Sequence, residues 1–152
     1  MERKTPSFKE LSPSSEASSR AKKKNRHVDT GPEIILRREL WKLGLRYRKN
    51  VKEVVGKPDI AFMREKVAVF CDGDFWHGRD WPELREKLLR RANADYWIRK
   101  IFCNIERDLE HNKILREAGW SIIRIWESDI KRDPGTAARC VRDVLQGSKQ
   151  AK

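Results

Sequence analysis

The chain is poor in cysteine: Cys71, Cys103 and Cys140 are the only three in 152 residues, and no two form a Cys-x-x-Cys pair. An odd number of widely spaced thiols builds neither a disulfide framework nor a four-thiolate zinc site, so three reduced thiols are expected. Also missing is any apolar run near the roughly 20 residues of a membrane span. The first residues hold none of the apolar segment of a secretory signal. These absences predict an intracellular, cytoplasmic protein with no membrane contact. Acidic residues are the minority charge, 23 Asp plus Glu against 35 Lys plus Arg for a net +12. That balance points to a polyanionic partner, nucleic acid or an anionic surface, although simple solvated domains can be as basic. A hydrophobic content of 38% in this length suits one domain with one core.

Residues 1–28 combine serines and prolines with a cationic cluster, Arg20, Lys22, Lys23, Lys24 and Arg26. They read as a disordered arm, either a solvated tail or a neutraliser of DNA phosphates. A domain over 29–147 and a short tail over 148–152 are expected to follow. Thr30, Pro32 and Glu33 mark a helix start, and Thr-x-x-Glu is a capping box that accounts for the glutamate without chemistry. That helix runs to about Leu43, with Leu36, Leu40 and Leu43 on its inner face. Leu45–Arg48 and Val51–Val55 look like short strands, and Gly56-Lys57-Pro58 like a turn. Asp59–Met63 and Lys66–Phe70 form a hairpin. Pro82–Arg91 is a charged surface helix. Asp95 to about Ala118 is a longer one, with Ile98, Ile101, Ile105 and Leu109 as its core stripe. Trp97, Asn104 and Asp108 fall within roughly 40 degrees of one another along the edge of that stripe. A strand, Trp120–Trp126, and a last helix, Pro134–Gln146, complete the order.

Lys66–Trp81, KVAVFCDGDFWHGRDW, is where a buried strand breaks into Asp72, Gly73 and Asp74, then Phe75, Trp76 and His77. Asp59, at the start of the apolar partner strand, needs a cation, a metal or solvent. Carboxylates at paired strand ends on a basic protein are the elements of metal-dependent phosphodiester hydrolysis, since magnesium takes hard oxygen ligands. His77 can serve as general base or acid near neutrality.

Five segments, TGPEIILRREL, KPDIAF, VAVFCDGDFWHG, YWIRKIFCNIERD and GWSIIRIWE, resemble in this order the very-short-patch-repair (Vsr) endonucleases. The resemblance spans nearly everything from Asp29 to Leu145. It implies an α/β, restriction-endonuclease-like fold with a central mixed sheet flanked by helices, and a Mg2+-dependent enzyme that nicks double-stranded DNA beside a T:G mismatch. Asp59 matches the magnesium-binding aspartate, and Cys71 the position whose backbone carbonyl completes the metal site. His77 matches the catalytic histidine, Glu33 the glutamate holding water and histidine, and Asp108 a supporting acid. Phe75, Trp76 and Trp97 match an aromatic wedge entering the duplex.

Two departures stand out against the family pattern. Where its members carry a structural zinc, this chain has Asp74, Arg79, Trp81 and Ser128, none of them a thiolate or imidazole. No structural zinc is expected; an Asp74–Arg79 ion pair and packing of Trp81 are expected to hold the loop instead. Asp72 replaces a second histidine, either as a metal ligand or as a partner orienting His77. The same scheme serves homing or restriction-associated endonucleases cutting fully paired sites, and a non-catalytic basic DNA-binding domain is the reading from another class. A monomer is expected, with mismatch-repair proteins as candidate partners.

Overall fold

A computed structural model describes residues 28–150. The basic cluster Lys22, Lys23, Lys24 and Arg26 lies outside the described residues, as do positions 151 and 152. The first helix, α1 (Gly31–Lys42), starts at an extended Thr30 with Pro32 in its first turn, where the missing proline N–H is harmless. Leu36 and Leu40 are fully buried, but Leu43 is 39% exposed. The helix ends at Lys42, so Leu43 leaves the helical face before it can join the stripe.

Of the two short strands expected next, only β1 (Arg48–Lys49) forms. Val51–Val55 is a turn-rich segment closed by the Lys57 N–H donating to the Val54 carbonyl at 2.9 Å. Val51 and Val54 are nevertheless buried, so their β-branched side chains serve packing rather than pairing. β2 (Ile60–Phe62) and β3 (Val67–Asp72) form the expected antiparallel hairpin, with Ile60 opposite Val69.

β4 (Ser121–Trp126) pairs with β3 in parallel, giving a four-stranded mixed sheet of order β1-β2-β3-β4. A parallel neighbour needs a long crossover. Here it holds the 73–80 loop, α2 (Trp81–Leu89) and α3 (Ala94–Glu117). A short helix, α4 (Glu127–Arg132), follows β4 where no helix was expected, and α5 (Pro134–Gln150) continues past the predicted end at Gln146.

β3 is apolar along Val67–Cys71 because both faces are covered. Val67, Val69 and Cys71 pack with Leu36, Leu40, Val141 and Leu145 on the α1–α5 side. Ala68 and Phe70 pack with Val51, Val54 and Leu115 on the other. Alternation then directs Asp72 to the Phe70 side, toward α3. On α3 the buried residues are Tyr96, Ile101, Asn104 and Leu115, whereas Leu109 is 63% exposed. The inward line runs through Ile101, Asn104, Asp108 and Leu115, and Leu109 stands one residue round from it, toward solvent.

The 73–80 loop is seated on α3 at Gly78, which has φ +69 and is buried. A Cβ there would stand 2.6 Å from Ile105 Cδ1 and 3.1 Å from Ile101 Cγ2. Gly78→Ala is therefore expected to cost at least about 2 kcal/mol, from left-handed strain plus overpacking. Chemical denaturation with an unchanged midpoint would contradict this seating.

Candidate active site

An open cleft of about 1040 Å³ lies where α1 begins, β3 and β4 end, and α3 passes. Glu33, Asp59, Asp72, His77, Asp108 and Glu127 all line it. The five proposed catalytic positions, taken from four stretches of sequence, are thus brought to one concavity.

Glu33 is 3% exposed. Its Oε2 accepts the Asp29 N–H at 3.0 Å and its Oε1 the Thr30 hydroxyl at 3.2 Å. This is a variant of the expected capping box: Thr30 caps no backbone group, and the glutamate fastens the residues before the helix. Arg37 holds Asp29 at 2.7 Å and stands 3.9 Å from Glu33.

Asp59 sits immediately before β2, and its Oδ2 accepts the Cys71 N–H at 2.7 Å. Burial raises its carboxyl above the usual range. The Cys71 bond opposes the rise and the neighbouring Glu33 and Asp72 add to it, so the group is pushed up to about 7. The Cys71 thiol is buried in the α1–α5 core, which raises its pKa, so the residue serves the site through its backbone.

His77 Nδ1 lies 2.5 Å from Asp108 Oδ2 and 3.8 Å from Asp72 Oδ1. Burial works against the imidazolium, but the Asp108 bond and the two carboxylate charges outweigh it, and the pKa is raised. For Asp108, burial is outweighed by His77, Arg124 and Arg107, and its pKa is lowered. Asp72 is raised, mainly by burial, although His77 and Arg124 oppose the rise. The donor atoms of Asp72, His77 and Asp108 lie within 4.8 Å of one another, a grouping that can hold a metal ion.

Trp97, Asn104 and Asp108 all face the loop, as their spacing predicted. The Asn104 amide donates to the Trp76 carbonyl at 2.9 Å, and Phe75, Trp76 and Trp97 meet with ring centroids 5.2 to 5.8 Å apart. All three rings are half-buried. At the far end of the loop, Arg79 donates to Ser128 Oγ at 2.6 Å and reaches Asp129 at 3.3 Å and Asp74 at 3.8 Å. The Trp126 ring also lies near its guanidinium, at 5.7 Å.

Arg124 and Glu127, like Lys100 and His111, line the cleft and escaped the sequence reading. Arg124 pairs with Asp72 at 3.1 Å, and Glu127, raised chiefly by burial, stands at the start of α4. A lone arginine inside SIIRIW was the available signal.

A family model described as DNA mismatch endonuclease Vsr matches residues 14–83. Over 122 residues, 80% of this chain and 81% of the relative, the chain is 42% identical to the type II nicking enzyme V.NmeDIP of Neisseria meningitidis serogroup C. The chain belongs to the Vsr family. It is 45% identical to the type II nicking enzyme V.HpaIIP of Haemophilus parainfluenzae over 74% of this chain and 79% of that one. Identity to the DNA mismatch endonuclease Vsr of Escherichia coli (strain K12) is 29%, over 68% and 64%. As a Vsr-family protein it is a DNA endonuclease, DNA is its substrate, and its mixed sheet flanked by helices is the restriction-endonuclease-like fold. Among the described residues, no helix is long and apolar enough to cross a membrane.

The His77 environment has a stability consequence. A folded-state pKa raised above the ordinary value means that folding favours the imidazolium. The contribution is therefore complete below a pH of about 6.5 and is lost as pH rises through the folded value. The melting-temperature gap between wild type and His77→Gln should be widest in mild acid and narrow as pH rises; equal gaps at roughly pH 5.5 and 8.5 would exclude it.

Proposed function

We propose that this protein is a magnesium-dependent endonuclease that nicks one strand of duplex DNA beside a T:G mismatch, as in very short patch repair. The observation that carries the reading is the meeting, in one cleft, of the buried Glu33 and half-buried Asp59 carboxylates with an Asp108-anchored His77. The donor set fits a hard divalent cation: Glu33, Asp59 and Asp72 bring carboxylate oxygens to the same cleft. Asp59 and the Cys71 backbone carbonyl would hold the ion. Bound there, magnesium would polarise the scissile phosphate and acidify a coordinated water.

The chain's own residues do the rest. His77 Nδ1 is engaged by Asp108, which leaves Nε2 for proton exchange with the attacking water or the leaving oxygen. Glu33, tied to Asp29 and Thr30, orients that water. Asp72 supports His77 from a second side.

Phe75, Trp76 and Trp97 act as the wedge at the mismatch. Unstacking costs a few kcal/mol per step, while stacking on aromatic rings returns roughly 1–3 kcal/mol per base. With the two nearly balanced, the lower opening cost of a T:G step decides which duplex is entered. The basic arm, Lys22, Lys23, Lys24 and Arg26, adds phosphate contacts.

A panel of duplexes carrying every mismatch, with magnesium and with chelator, tests this reading. Nicking beside the thymine of T:G alone, lost with chelator, is expected, and Asp59→Ala or His77→Ala should lower the rate by roughly 100-fold or more. Uniform cleavage of paired and mismatched duplexes would instead assign a homing or restriction-associated role. Wild-type binding with no cleavage under any divalent metal would assign a non-catalytic DNA-binding domain.

We also propose that the Arg79 network stands in for a structural metal in holding the loop against α4. Arg79→Ala should lower stability by roughly 1 kcal/mol. Stoichiometric, tightly bound zinc in purified protein would overturn this.

A further inference from the structure

β4 reads Ser-Ile-Ile-Arg-Ile-Trp, and Arg124 is the only charged residue in it. Its register places it opposite Phe70, one alternation short of Asp72 on the same face of the sheet. The guanidinium carbon lies 4.1 Å from the Phe70 ring centroid, and Nε donates to Asn112 Oδ1 at 2.8 Å. Nη1 stands 3.1 and 3.2 Å from the two Asp72 oxygens and 3.7 Å from Asp108 Oδ1. A ring below, an amide at one side and two acids ahead fix the fork in place.

Both acids are the partners of His77. Asp108 turns Oδ1 toward Arg124 and Oδ2 toward the imidazole, and Asp72 Oδ1 faces both. The two carboxylate side chains are 8% and 15% exposed. Without a cation between them they would repel, and one would turn away from His77. Stability alone does not call for this arrangement. Arg124 Nη2 is buried without a hydrogen-bond partner among the described residues, and an apolar side chain here would continue the strand's packing.

We propose that Arg124 is a positioning residue for strand nicking: its guanidinium bridges Asp72 and Asp108 and so holds the pair that fixes His77. It acts through those side chains and touches no reacting atom. The proposal rests on the reading of His77 as the proton-transfer group.

Arg124→Lys and Arg124→Ala test it, with single-turnover nicking and duplex affinity measured separately. The expected result is a rate lowered by roughly 100-fold in Arg124→Ala, with affinity changed by less than about threefold. Lysine should restore only part of the loss, because it lacks the Nε–H that bonds Asn112 and the planar group that lies on Phe70, the two contacts that fix the charge between the acids. Millimolar methylguanidinium should raise the Arg124→Ala rate, and methylammonium should not. The His77 ring nitrogen signals, followed by NMR, should shift in both variants.

Wild-type nicking rates in both variants, or rate and affinity falling together with no methylguanidinium effect, would overturn the proposal. Should Arg124→Ala not fold, Arg124→Lys decides by the same rate, affinity and NMR measurements. Failure of the wild type to nick any duplex would defeat the functional reading instead. The His77 signals of wild type and Arg124→Lys would still decide the positioning role: a shift upholds it, and unchanged signals overturn it.

Discussion

Five carboxylates, Glu33, Asp59, Asp72, Asp108 and Glu127, share one cleft, and keeping them there is the constraint on which the rest of the site depends. Burying an ionised carboxylate is costly unless something answers its charge. The cleft answers in two different ways. On the α3 side, Asp72 and Asp108 face Arg124 and His77, and Asp108 ionises more readily than an ordinary aspartate. On the α1 side, Glu33 and Asp59 receive backbone N–H groups and one hydroxyl but only a distant arginine, and Asp59 is pushed up to about 7. One half of the cleft carries its own cations. The other half answers mainly with backbone N–H groups.

The fold makes this grouping available at low structural cost. A sheet covered on both faces forces its strands to be apolar, and polar chemistry then belongs at strand ends. Because β4 pairs with β3 in parallel, both strands end at the same edge, beside Asp72 and Glu127. The crossover that parallel pairing requires also delivers the His77 loop and α3 to that edge. The hairpin brings Asp59 there from the opposite chain direction, because an antiparallel partner begins where β3 finishes.

Much of this was legible in the sequence because it follows from local patterns. The apolar run ending in Asp72-Gly73-Asp74 announced a strand end with chemistry, and helical spacing put Trp97, Asn104 and Asp108 on one face. Features set by tertiary partners were not legible. Val51 and Val54 look like strand residues, yet they are buried from a turn, because burial and pairing favour the same β-branched side chains. Leu109 fits a stripe on periodicity alone, but which neighbouring face of α3 turns inward depends on where the sheet edge lies. Arg124 was visible as a charge in an apolar strand. Its partners lie on β3 and α3, up to 52 positions away, and no local rule joins them.

The loop and α3 also fix the distance between the aromatic rings and the imidazole. The helix meets the loop at Trp97 through ring contacts, at Asn104 through the Trp76 carbonyl, at Ile101 and Ile105 under Gly78, and at Asp108 through His77. At 1.5 Å per residue, that line of attachments runs along roughly 16 Å of one rigid element. A loop fastened at a single point could swing. One fastened at four points on one helix face cannot move its rings relative to its histidine without bending the helix or breaking an attachment. Trp76 and His77 are adjacent in sequence, so tension at one anchor is transmitted directly to the other. The spacing of residues along α3, rather than the loop's own conformational preference, therefore sets where the aromatic rings and the imidazole stand relative to each other.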